Sequence, residues 1–261
     1  ELFDNFPDEP IASASLGQVY KATKKDNSFC AVKVQRPNLF FLIRRDIVIL
    51  KILANIFSPF LPLNIGVGIG EIIDEFGKAL FQEIDYEKEG ENALRFAELF
   101  KTNPNVFIPK LDNELSSRRV ITTSWVDGVK LRDRETLEQN NLIPATFIKT
   151  CVISGLQQLF EHGYFHADPH PGNMFALKGG STDFGNLAYV DFGMMDSITN
   201  TDRLTLIKAI VHLINEEYLL LAGDFQKLGF LTKDQNLEEL VEPLKKVLGG
   251  SFGAEVGNFN L

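Results

Sequence analysis

The sequence has little cysteine, no excess of basic residues and no apolar run long enough to cross a membrane. Its two cysteines, Cys30 and Cys151, lie far apart within apolar stretches, which predicts buried free thiols in a reducing compartment rather than a disulfide or a metal site. The most apolar stretch, residues 47–69, is interrupted by Pro59 and Pro62, so fewer than the roughly 20 consecutive apolar residues of a membrane helix remain. The net charge of −9 indicates that nucleic acid is not a partner.

The first residues lack both an initiating methionine and the basic segment that opens a signal peptide. We therefore expect the chain to be a soluble fragment of a longer protein, with any targeting segment or membrane anchor outside it. Its 261 residues and 44% hydrophobic content are sufficient for a packed core, in one bilobed domain or in two small ones.

The most informative stretch is residues 164–173, which read Tyr-Phe-His-Ala-Asp-Pro-His-Pro-Gly-Asn. Two prolines and a glycine predict a stiff loop. His166, Asp168 and His170 stand at alternate positions, so an extended chain would place them on one face, where they could bind a metal ion. The alternative is a phosphoryl-transfer loop, in which Asp168 orients a hydroxyl nucleophile and Asn173, five residues further on, binds Mg²⁺.

Two further motifs favour the phosphoryl-transfer interpretation, because a simple metallohydrolase requires neither. Asp191-Phe192-Gly193 follows an apolar strand pattern and would supply a second magnesium ligand through its aspartate. Lys33 lies within the strand pattern of residues 29–34 and would bind the α- and β-phosphates of a nucleotide while pairing with a glutamate on a helix. A second Asp-Phe-Gly, at residues 183–185, lies in a polar hairpin and is interpreted as coincidence.

Four consecutive small residues before the lysine strand predict the phosphate-binding loop. Their backbone N–H groups could approach phosphate closely, although alanine and serine make such a loop stiffer than glycine does. These residues are Ala12, Ser13, Ala14 and Ser15. A helical pattern further on carries the acidic stretch 83–89, and within it we expect Glu89 to be the partner of Lys33.

Hydrophobic periodicity predicts a buried helix at residues 147–160, before the loop that begins at residue 164, and three further helices. The first spans residues 39–57 and is ended by Pro59 and Pro62. The second runs from about residue 70 to residue 100 as one pattern, and the third spans residues 199–221.

Two strand patterns, residues 107–109 and 119–123, are predicted to be joined by a polar turn. The second leads into an Asp-Gly turn, as a hinge between lobes requires, and backbone groups from Ser124 to Val126 would bind adenine. The stretch between Gly193 and the next helix is short and contains no Ala-Pro-Glu, which argues against a protein as the phosphoryl acceptor.

Five blocks, in family order, resemble the UbiB/ADCK family of atypical kinases, and together they span nearly the whole chain. They are PIASASLGQVY at 10–20, AVKVQRP at 31–37, EIDYEKE at 83–89, HADPHPGN at 166–173 and DFGM at 191–194. The fourth block is the most specific. The KxGQ motif of the family's N-terminal extension does not occur in this sequence, and Ser13 stands where the family commonly has alanine.

The resemblance implies an α+β, bilobed, protein-kinase-like fold. A small mixed N-lobe of antiparallel sheet and extra helices would occupy residues 1–126, and a mostly helical C-lobe would occupy residues 127–261. ATP and Mg²⁺ would be the cofactors. The implied roles are an ion pair of Lys33 with Glu89, Asp168 as catalytic aspartate, Asn173 and Asp191 as Mg²⁺ ligands, and Glu83 with Asp85 as an ExD motif that faces the active site.

Members of the resembled family support coenzyme Q or other prenylquinone metabolism. The resemblance therefore implies partners among isoprenoid lipids or quinone-biosynthesis proteins, or the membrane surface itself. It implies a membrane-associated location in a bacterium, plastid or mitochondrion, with the Asp-Phe-Gly-Met-Met ending most similar to cyanobacterial and plastid members. Two functions stay open: an ATP-dependent phosphotransferase or ATPase, and an ATP-binding pseudokinase that is a scaffold for a lipid-biosynthesis complex.

Overall fold

The structure, a computed structural model, describes residues 2–58, 68–180 and 184–249. The chain forms two compact units. Unit 1 comprises Glu1–Thr150 and His166–Met195, and unit 2 comprises Cys151–Phe165 and Asp196–Leu261. The bounds of these units differ from those of the predicted lobes, residues 1–126 and 127–261, and the division into lobes stays a prediction.

Eleven strands occur in the described ranges. They are β1 (Phe3–Asn5), β2 (Ala12–Ser13), β3 (Gly17–Lys24), β4 (Phe29–Gln35), β5 (Val106–Phe107), β6 (Val120–Ser124), β7 (Gly128–Lys130), β8 (Tyr164–His166), β9 (Met174–Gly180), β10 (Gly185–Tyr189) and β11 (Met195–Ser197). The largest sheet has the order β1-β3-β4-β6, with β2 added along β3, and all its pairs are antiparallel.

The β3–β4 hairpin determines which way the predicted lysine points. Its turn contains Asn27 at φ 62°, a conformation that asparagine tolerates better than most residues. Cys30 and Val32 of β4 enter a buried cluster with Ala22. Because side chains alternate along a strand, Lys33 lies on the opposite face of the sheet from that cluster.

A second sheet has the order β5-β10-β9-β7, in which β5 runs parallel to β10 and the other pairs are antiparallel. The two strands that the sequence predicts to be joined by a polar turn therefore do not form a hairpin. One of them, β5, pairs with β10, whereas the other, β6, pairs with β4. A two-residue strand such as β5 carries too little pattern to indicate its partner.

Among the described residues, five α-helices begin in unit 1: α1 (Leu39–Phe57), α2 (Ile69–Glu83), α3 (Tyr86–Phe100), α4 (Arg134–Gln139) and α5 (Pro144–Leu156). A π-helical turn, Gln157–His162, follows α5. The bounds of α1 confirm the helix predicted for residues 39–57. The predicted ends of that helix, Pro59 and Pro62, lie outside the described residues.

The single helix predicted for residues 70–100 is wrong, because the chain breaks between α2 and α3. Asp85 has an extended backbone and its side chain accepts a hydrogen bond from Lys88 N at 3.3 Å, so it caps α3. Gln35 Nε2 donates to Ile84 O at 2.6 Å at the end of α2. Apolar periodicity continues across the break and so predicts one continuous helix. The chain nevertheless begins a new helix at Tyr86, because the short acidic side chain of Asp85 caps it.

Unit 2 carries α6 (Asn200–Ile214), α7 (Tyr218–Lys227) and α8 (Leu237–Leu248). The helix predicted for residues 199–221 is thus two helices. The interruption contains Glu216 at φ 58°, a left-handed conformation that ends a helix. Helices α6 and α7 then pack through a buried cluster of Ala209, Tyr218 and Leu221.

The predicted α+β class is confirmed by the antiparallel sheets and the helices of the described residues. Neither Cys30 nor Cys151 forms a disulfide; Cys30 is buried and Cys151 is half-buried. None of the helices within residues 2–58, 68–180 and 184–249 has the length and apolar character needed to cross a bilayer.

Candidate active site

Lys33 on β4 joins two carboxylates from distant parts of unit 1. Its Nζ lies 3.0 Å from Oε1 and 2.9 Å from Oε2 of Glu89, in α3. The same nitrogen lies 3.2 Å from Oδ2 of Asp191, which follows β10. The ring centroid of Tyr86 is 5.0 Å from the ammonium. One cation therefore connects the sheet, the helix and the Asp-Phe-Gly segment.

The three charged groups differ in exposure and in their pKa values. Glu89 is only 3% exposed, and burial raises its pKa to about 7 although Lys33 acts in the opposite direction. Burial also opposes the charge on Lys33, but Glu89 and Asp191 outweigh it and raise the pKa of the ammonium above its usual range. Lys33 in turn outweighs burial at Asp191 and lowers the pKa of that carboxyl. Of these three groups, Glu89 therefore has the pKa nearest to neutral pH.

Helix α3 also holds the Asp-Phe-Gly segment in place. Asn92, one turn after Glu89, donates from Nδ2 to Phe192 O at 2.9 Å. The buried Phe192 ring lies 5.3 Å from the Phe96 ring, centroid to centroid. The N–H of the following glycine donates to Asp191 Oδ1 at 3.1 Å. These contacts point the second oxygen of Asp191 at Lys33.

The loop that follows β8 is organised by His166. Asp168 N–H donates to His166 Nδ1 at 3.1 Å, so Nε2 carries the proton and donates to Asp191 O at 2.7 Å. Burial lowers the pKa of His166, which favours this neutral form. His170 Nδ1 likewise accepts from Gly172 N–H at 3.0 Å. This geometry argues against the alternative of a metal site on His166, Asp168 and His170, because both ring nitrogens of His166 already have hydrogen-bond partners.

The same loop carries Asp168, the predicted catalytic aspartate, and Asn173, a predicted Mg²⁺ ligand. Asp168 is exposed, and its backbone oxygen accepts from His170 N at 2.7 Å. Asn173 ends a short 3₁₀ turn, and its backbone oxygen accepts from Val190 N at 3.1 Å. This bond ties Asn173 to the segment that leads directly into Asp191. No group of three or more histidine, cysteine, aspartate or glutamate side chains in the described ranges is arranged to hold a metal ion without further ligands.

The predicted phosphate loop is a tight turn between β2 and β3. Ala12 and Ser13 lie in β2, and Ala14 and Ser15 lie in the turn. Ala14 N–H donates to Gly17 O at 2.9 Å and closes the turn. Arg36 then fixes the turn from outside, since it donates to Ser13 Oγ at 2.9 Å and to Ala14 O at 3.0 Å. Three hydrogen bonds thus hold the turn, and the stiffness expected from its composition stays a prediction.

Of the two ExD acids, the structure brings Glu83 to the active-site carboxylates. A Cβ added to Gly193 would lie 3.6 Å from Glu83 Cγ, so this side chain stands beside the Asp-Phe-Gly segment. Burial and then the nearby charges of Asp191 and Asp168 raise the pKa of Glu83. The second acid, Asp85, lies at the start of α3 as its cap.

The predicted adenine-binding segment has most of its N–H groups engaged. Ser124 N–H donates to Lys110 O at 2.9 Å, and Trp125 N–H donates to Phe29 O at 3.2 Å. For Val126 N–H, no hydrogen-bond partner occurs in the described part of the chain. Of the three residues, Val126 is therefore the one with an N–H available for a base.

Sequence reasoning missed three residues that position the site: Gln35, Tyr86 and Asn92. Two of them had a usable signal, because Tyr86 and Asn92 stand three residues before and after Glu89 and so share its helix face. Gln35 gave no such signal, since it acts on Ile84, 49 residues away.

The assembled groups can bind an anionic ligand that carries a metal ion. Lys33 presents an ammonium, Asp191 presents a third-exposed carboxylate, and the adjacent turn of small residues allows close approach to backbone N–H groups. Three carboxylates near one lysine leave an excess of negative charge. Mg²⁺ prefers such oxygen ligands and commonly uses one or two of them together with phosphate oxygens and water.

A family profile described as "ABC1 atypical kinase-like domain" matches residues 1–223. The Synechocystis protein slr1919 is 44% identical to this chain over 260 residues, which cover 100% of this chain and 45% of that protein. The Arabidopsis thaliana protein Activity of BC1 complex kinase 1, chloroplastic, is 38% identical over 99% of this chain and 37% of that protein. The chain thus spans less than half the length of these two relatives.

A solved structure, that of Rv3197 from Mycobacterium tuberculosis in complex with erythromycin, is similar with a TM-score of 0.67. Its sequence identity is 26%, and the match covers 95% of this chain and 61% of that one. Together with the family profile, this similarity confirms the kinase-like fold that the sequence predicts.

Proposed function

Because this chain belongs to the ABC1 family of atypical kinase-like proteins, as its resemblance to UbiB/ADCK proteins predicted, we propose that it binds Mg-ATP and transfers or hydrolyses the terminal phosphoryl group. The observation that carries the proposal is the position of Lys33, within 3.2 Å of both Glu89 and Asp191. This is the arrangement that phosphoryl transfer requires of a strand lysine, a helix glutamate and a metal-binding aspartate.

Each residue has a role that its position supports. Lys33 would bind the α- and β-phosphates, with Glu89 keeping it oriented. Asp191 and Asn173 would hold Mg²⁺, which neutralises charge on the phosphates when bound. Asp168 would accept the proton of the attacking hydroxyl or water, and its exposure leaves it accessible to an acceptor.

The residues present fit the two cofactors. Glu89 and Asp191 share one ammonium, and Glu83 lies close enough to Asp191 for its charge to be felt, so a divalent cation would relieve the repulsion among these carboxylates. The turn from Ala12 to Ser15 would cover the phosphates, and the engaged N–H groups of Ser124 and Trp125 leave Val126 to bind adenine. Glu83 stands close enough to Asp191 to respond to the metal.

The wider role that we propose is support of prenylquinone metabolism, at a membrane of a cyanobacterium-like bacterium, a plastid or a mitochondrion. The relatives support the first two locations, since they include a Synechocystis protein and a chloroplastic Arabidopsis protein. Isoprenoid lipids, quinone-biosynthesis proteins or the membrane surface would be the partners. Helix α1 supports an apolar partner, because Phe41, Val48 and Ile52 on it are about half or more exposed.

The test is Mg-ATP binding and turnover, with and without vesicles that contain a prenylquinone. Mg-ATP should raise the melting temperature, and Asp191→Ala should abolish that rise. A parent chain whose melting temperature does not respond to Mg-ATP would count against the proposal.

An ATP-binding pseudokinase scaffold is the second candidate, favoured by the two hydrogen bonds through which Arg36 holds the turn. Asp168→Asn separates the two candidates. An enzyme would lose turnover by about 10²-fold or more in this variant while still binding Mg-ATP. A scaffold would show the same residual turnover in parent and variant.

A further inference from the structure

Tyr86, the first residue of α3, has a buried hydroxyl for which the described residues offer no hydrogen-bond partner. The residue is only 2% exposed. Folded proteins rarely leave a buried polar group unpaired, because burial removes its bonds to water without replacing them. No other side-chain nitrogen or oxygen in the described ranges combines such burial with the lack of a partner.

The hydroxyl lies directly beneath the predicted phosphate loop. A Cβ added to Gly17, at the point where the loop enters β3, would lie 2.6 Å from Tyr86 Oη and 2.9 Å from Val34 O. Glycine at this position is therefore what allows the hydroxyl to stand there. The ring of the same tyrosine faces the ammonium of Lys33, with the centroid 5.0 Å from Nζ. Tyr86 thus lies between the two elements that the proposed function assigns to phosphate binding.

The surroundings of the Tyr86 hydroxyl favour a negatively charged hydrogen-bond acceptor. Burial raises the pKa of Tyr86 to about 12, so its O–H is a donor at neutral pH. Among the described residues no oxygen accepts from it. A negatively charged oxygen placed above Lys33 would satisfy the hydroxyl and the ammonium together, and hydrogen bonds to charged acceptors are the stronger ones.

We propose that the Tyr86 hydroxyl donates a hydrogen bond to a phosphate oxygen of the bound nucleotide. The inference rests on the proposed function, since it needs the Lys33 site to bind a nucleoside phosphate. It also gives nucleotide binding a direct effect on α3. Tyr86 stands one turn before Glu89 on the same helix face, so a phosphate held by Tyr86 keeps Glu89 turned toward Lys33.

The test is Tyr86→Phe in the full chain, measured by calorimetric titration with Mg-ATP and by melting temperature without nucleotide. The affinity for Mg-ATP should fall about tenfold or more, as expected for a lost bond to a charged acceptor. The melting temperature without nucleotide should be equal or higher, because phenylalanine keeps the ring and removes the unpaired hydroxyl. A hydroxyl with a purely structural role would produce the opposite pattern.

Tyr20→Phe is the matched control. Val19 of β3 is paired with Lys33 of β4, so these two side chains lie on the same face of the sheet. Tyr20 is the next residue and therefore points to the opposite face. Its hydroxyl donates to Gln18 Oε1 at 3.3 Å. This substitution should change the affinity for Mg-ATP by less than about twofold, a change too small for a lost bond to a charged group.

A series of ATP, ADP, AMP and adenosine identifies the contact. The loss in Tyr86→Phe should appear with a phosphorylated ligand and be absent with adenosine. Parental affinity of the variant for Mg-ATP would overturn the inference, and so would an equal loss with adenosine, while the proposed function would survive either result. A parent chain that binds none of the nucleotides would overturn the proposed function and this inference with it.

Discussion

Each unit buries a carboxylate beside a cation, but the two units balance that charge in different ways. In unit 1, the ammonium of Lys33 serves both Glu89 and Asp191, and Glu83 adds a third carboxylate nearby. Negative charge is in excess, and the pKa of the buried glutamate is raised to about 7.

In unit 2, one carboxylate has two partners. Asp224, 1% exposed, accepts from His212 Nδ1 at 2.7 Å and from Lys227 Nζ at 2.9 Å. Burial acts against its charge, but the bonds to Lys227 and His212 outweigh burial and lower its pKa. This cluster needs no ligand to be satisfied.

The comparison separates a binding site from a structural cluster by their charge balance. A cluster with surplus carboxylates and an unpaired hydroxyl is stabilised further only by a ligand that brings a cation and an acceptor. A cluster whose carboxylate already has its donors contributes its stability in the folded chain itself. The predictions below change one cluster at a time.

The largest effect is expected from Lys33→Met. Mg-ATP should no longer raise the melting temperature, and the free energy of unfolding should fall by about 3 kcal/mol, because Glu89 loses the partner of a buried ion pair. The loss should be smaller at pH 6 than at pH 8, since a protonated Glu89 needs no counter-charge. Thermal unfolding measures the response to Mg-ATP. Urea unfolding at pH 6 and pH 8 measures the two losses of free energy, followed by the fluorescence of Trp125, the single tryptophan and a residue of unit 1.

Lys24→Met is the control for that substitution. Lys24 is also a partly buried lysine of the same sheet, paired with Asp112 at 3.3 Å on its own. Its removal should leave the response to Mg-ATP intact. Equal loss of nucleotide binding in both variants would mean that the charge of Lys33 has no special role.

Asp224→Asn should lower the free energy of unfolding of unit 2 by about 2 kcal/mol, the usual range for lost hydrogen bonds to a charged group. The pH responses of the two clusters should have opposite signs. The folded pKa of Asp224 is lowered, so its contribution is complete above the pKa of the unfolded chain and is lost as pH falls below it. The folded pKa of Glu89 is raised from 4.5 to about 7, so stability falls as pH rises through that interval.

Amide hydrogen exchange in α3 and α7, corrected for intrinsic rates, measures the two responses separately. Asp224→Asn should flatten the acid response of α7 alone, and Glu89→Gln should flatten the response of α3 between about pH 5 and pH 7. Parallel pH responses in the two helices would contradict the comparison.

The sequence predicts best what one segment encodes by itself. Asp168 and Asn173 share a motif whose spacing follows from the chemistry, and Lys33 occupies a strand pattern typical of its proposed role. The structure brings Lys33 to Glu89 and to Asp191, 56 and 158 residues away along the chain. The catalytic roles of these residues stay predictions.

What the sequence does not predict depends on partners far along the chain or on single capping residues. Asn92 bonds to Phe192, 100 residues away, and nothing in the helix pattern indicates that partner. Apolar periodicity continues through Asp85 and through Glu216, so it does not reveal the two helix breaks. The sequence also does not predict the unpaired hydroxyl of Tyr86, because its burial depends on the packing of α3 against the chain at Gly17.

A smaller effect is expected from Gly17→Ala, which brings a methyl group to 2.6 Å from Tyr86 Oη and 2.9 Å from Val34 O. The free energy of unfolding should fall by about 1–3 kcal/mol through overpacking. Adding Tyr86→Phe should restore part of this loss, because it removes the first contact and leaves the second. A double-mutant cycle by urea unfolding measures the coupling, and strict additivity would show that the loop and α3 do not meet at this point.

The smallest effect is expected from Asp85, which separates a capping role from a role in the active site. Asp85→Ala should lower the free energy of unfolding by about 1 kcal/mol, since it removes the N-cap of α3. Asp85→Asn should lower the free energy of unfolding by only a few tenths of a kcal/mol, because the amide oxygen still accepts from Lys88 N. The substitution also removes the ion pair of Asp85 with Arg118, but this pair contributes little, since it is 3.5 Å long and Arg118 is largely exposed. If Asp85 acts only as a cap, Asp85→Asn leaves the affinity for Mg-ATP unchanged in calorimetric titration. A change in affinity with Asp85→Asn, at unchanged stability, would instead place its charge in the working of the active site beside that of Glu83.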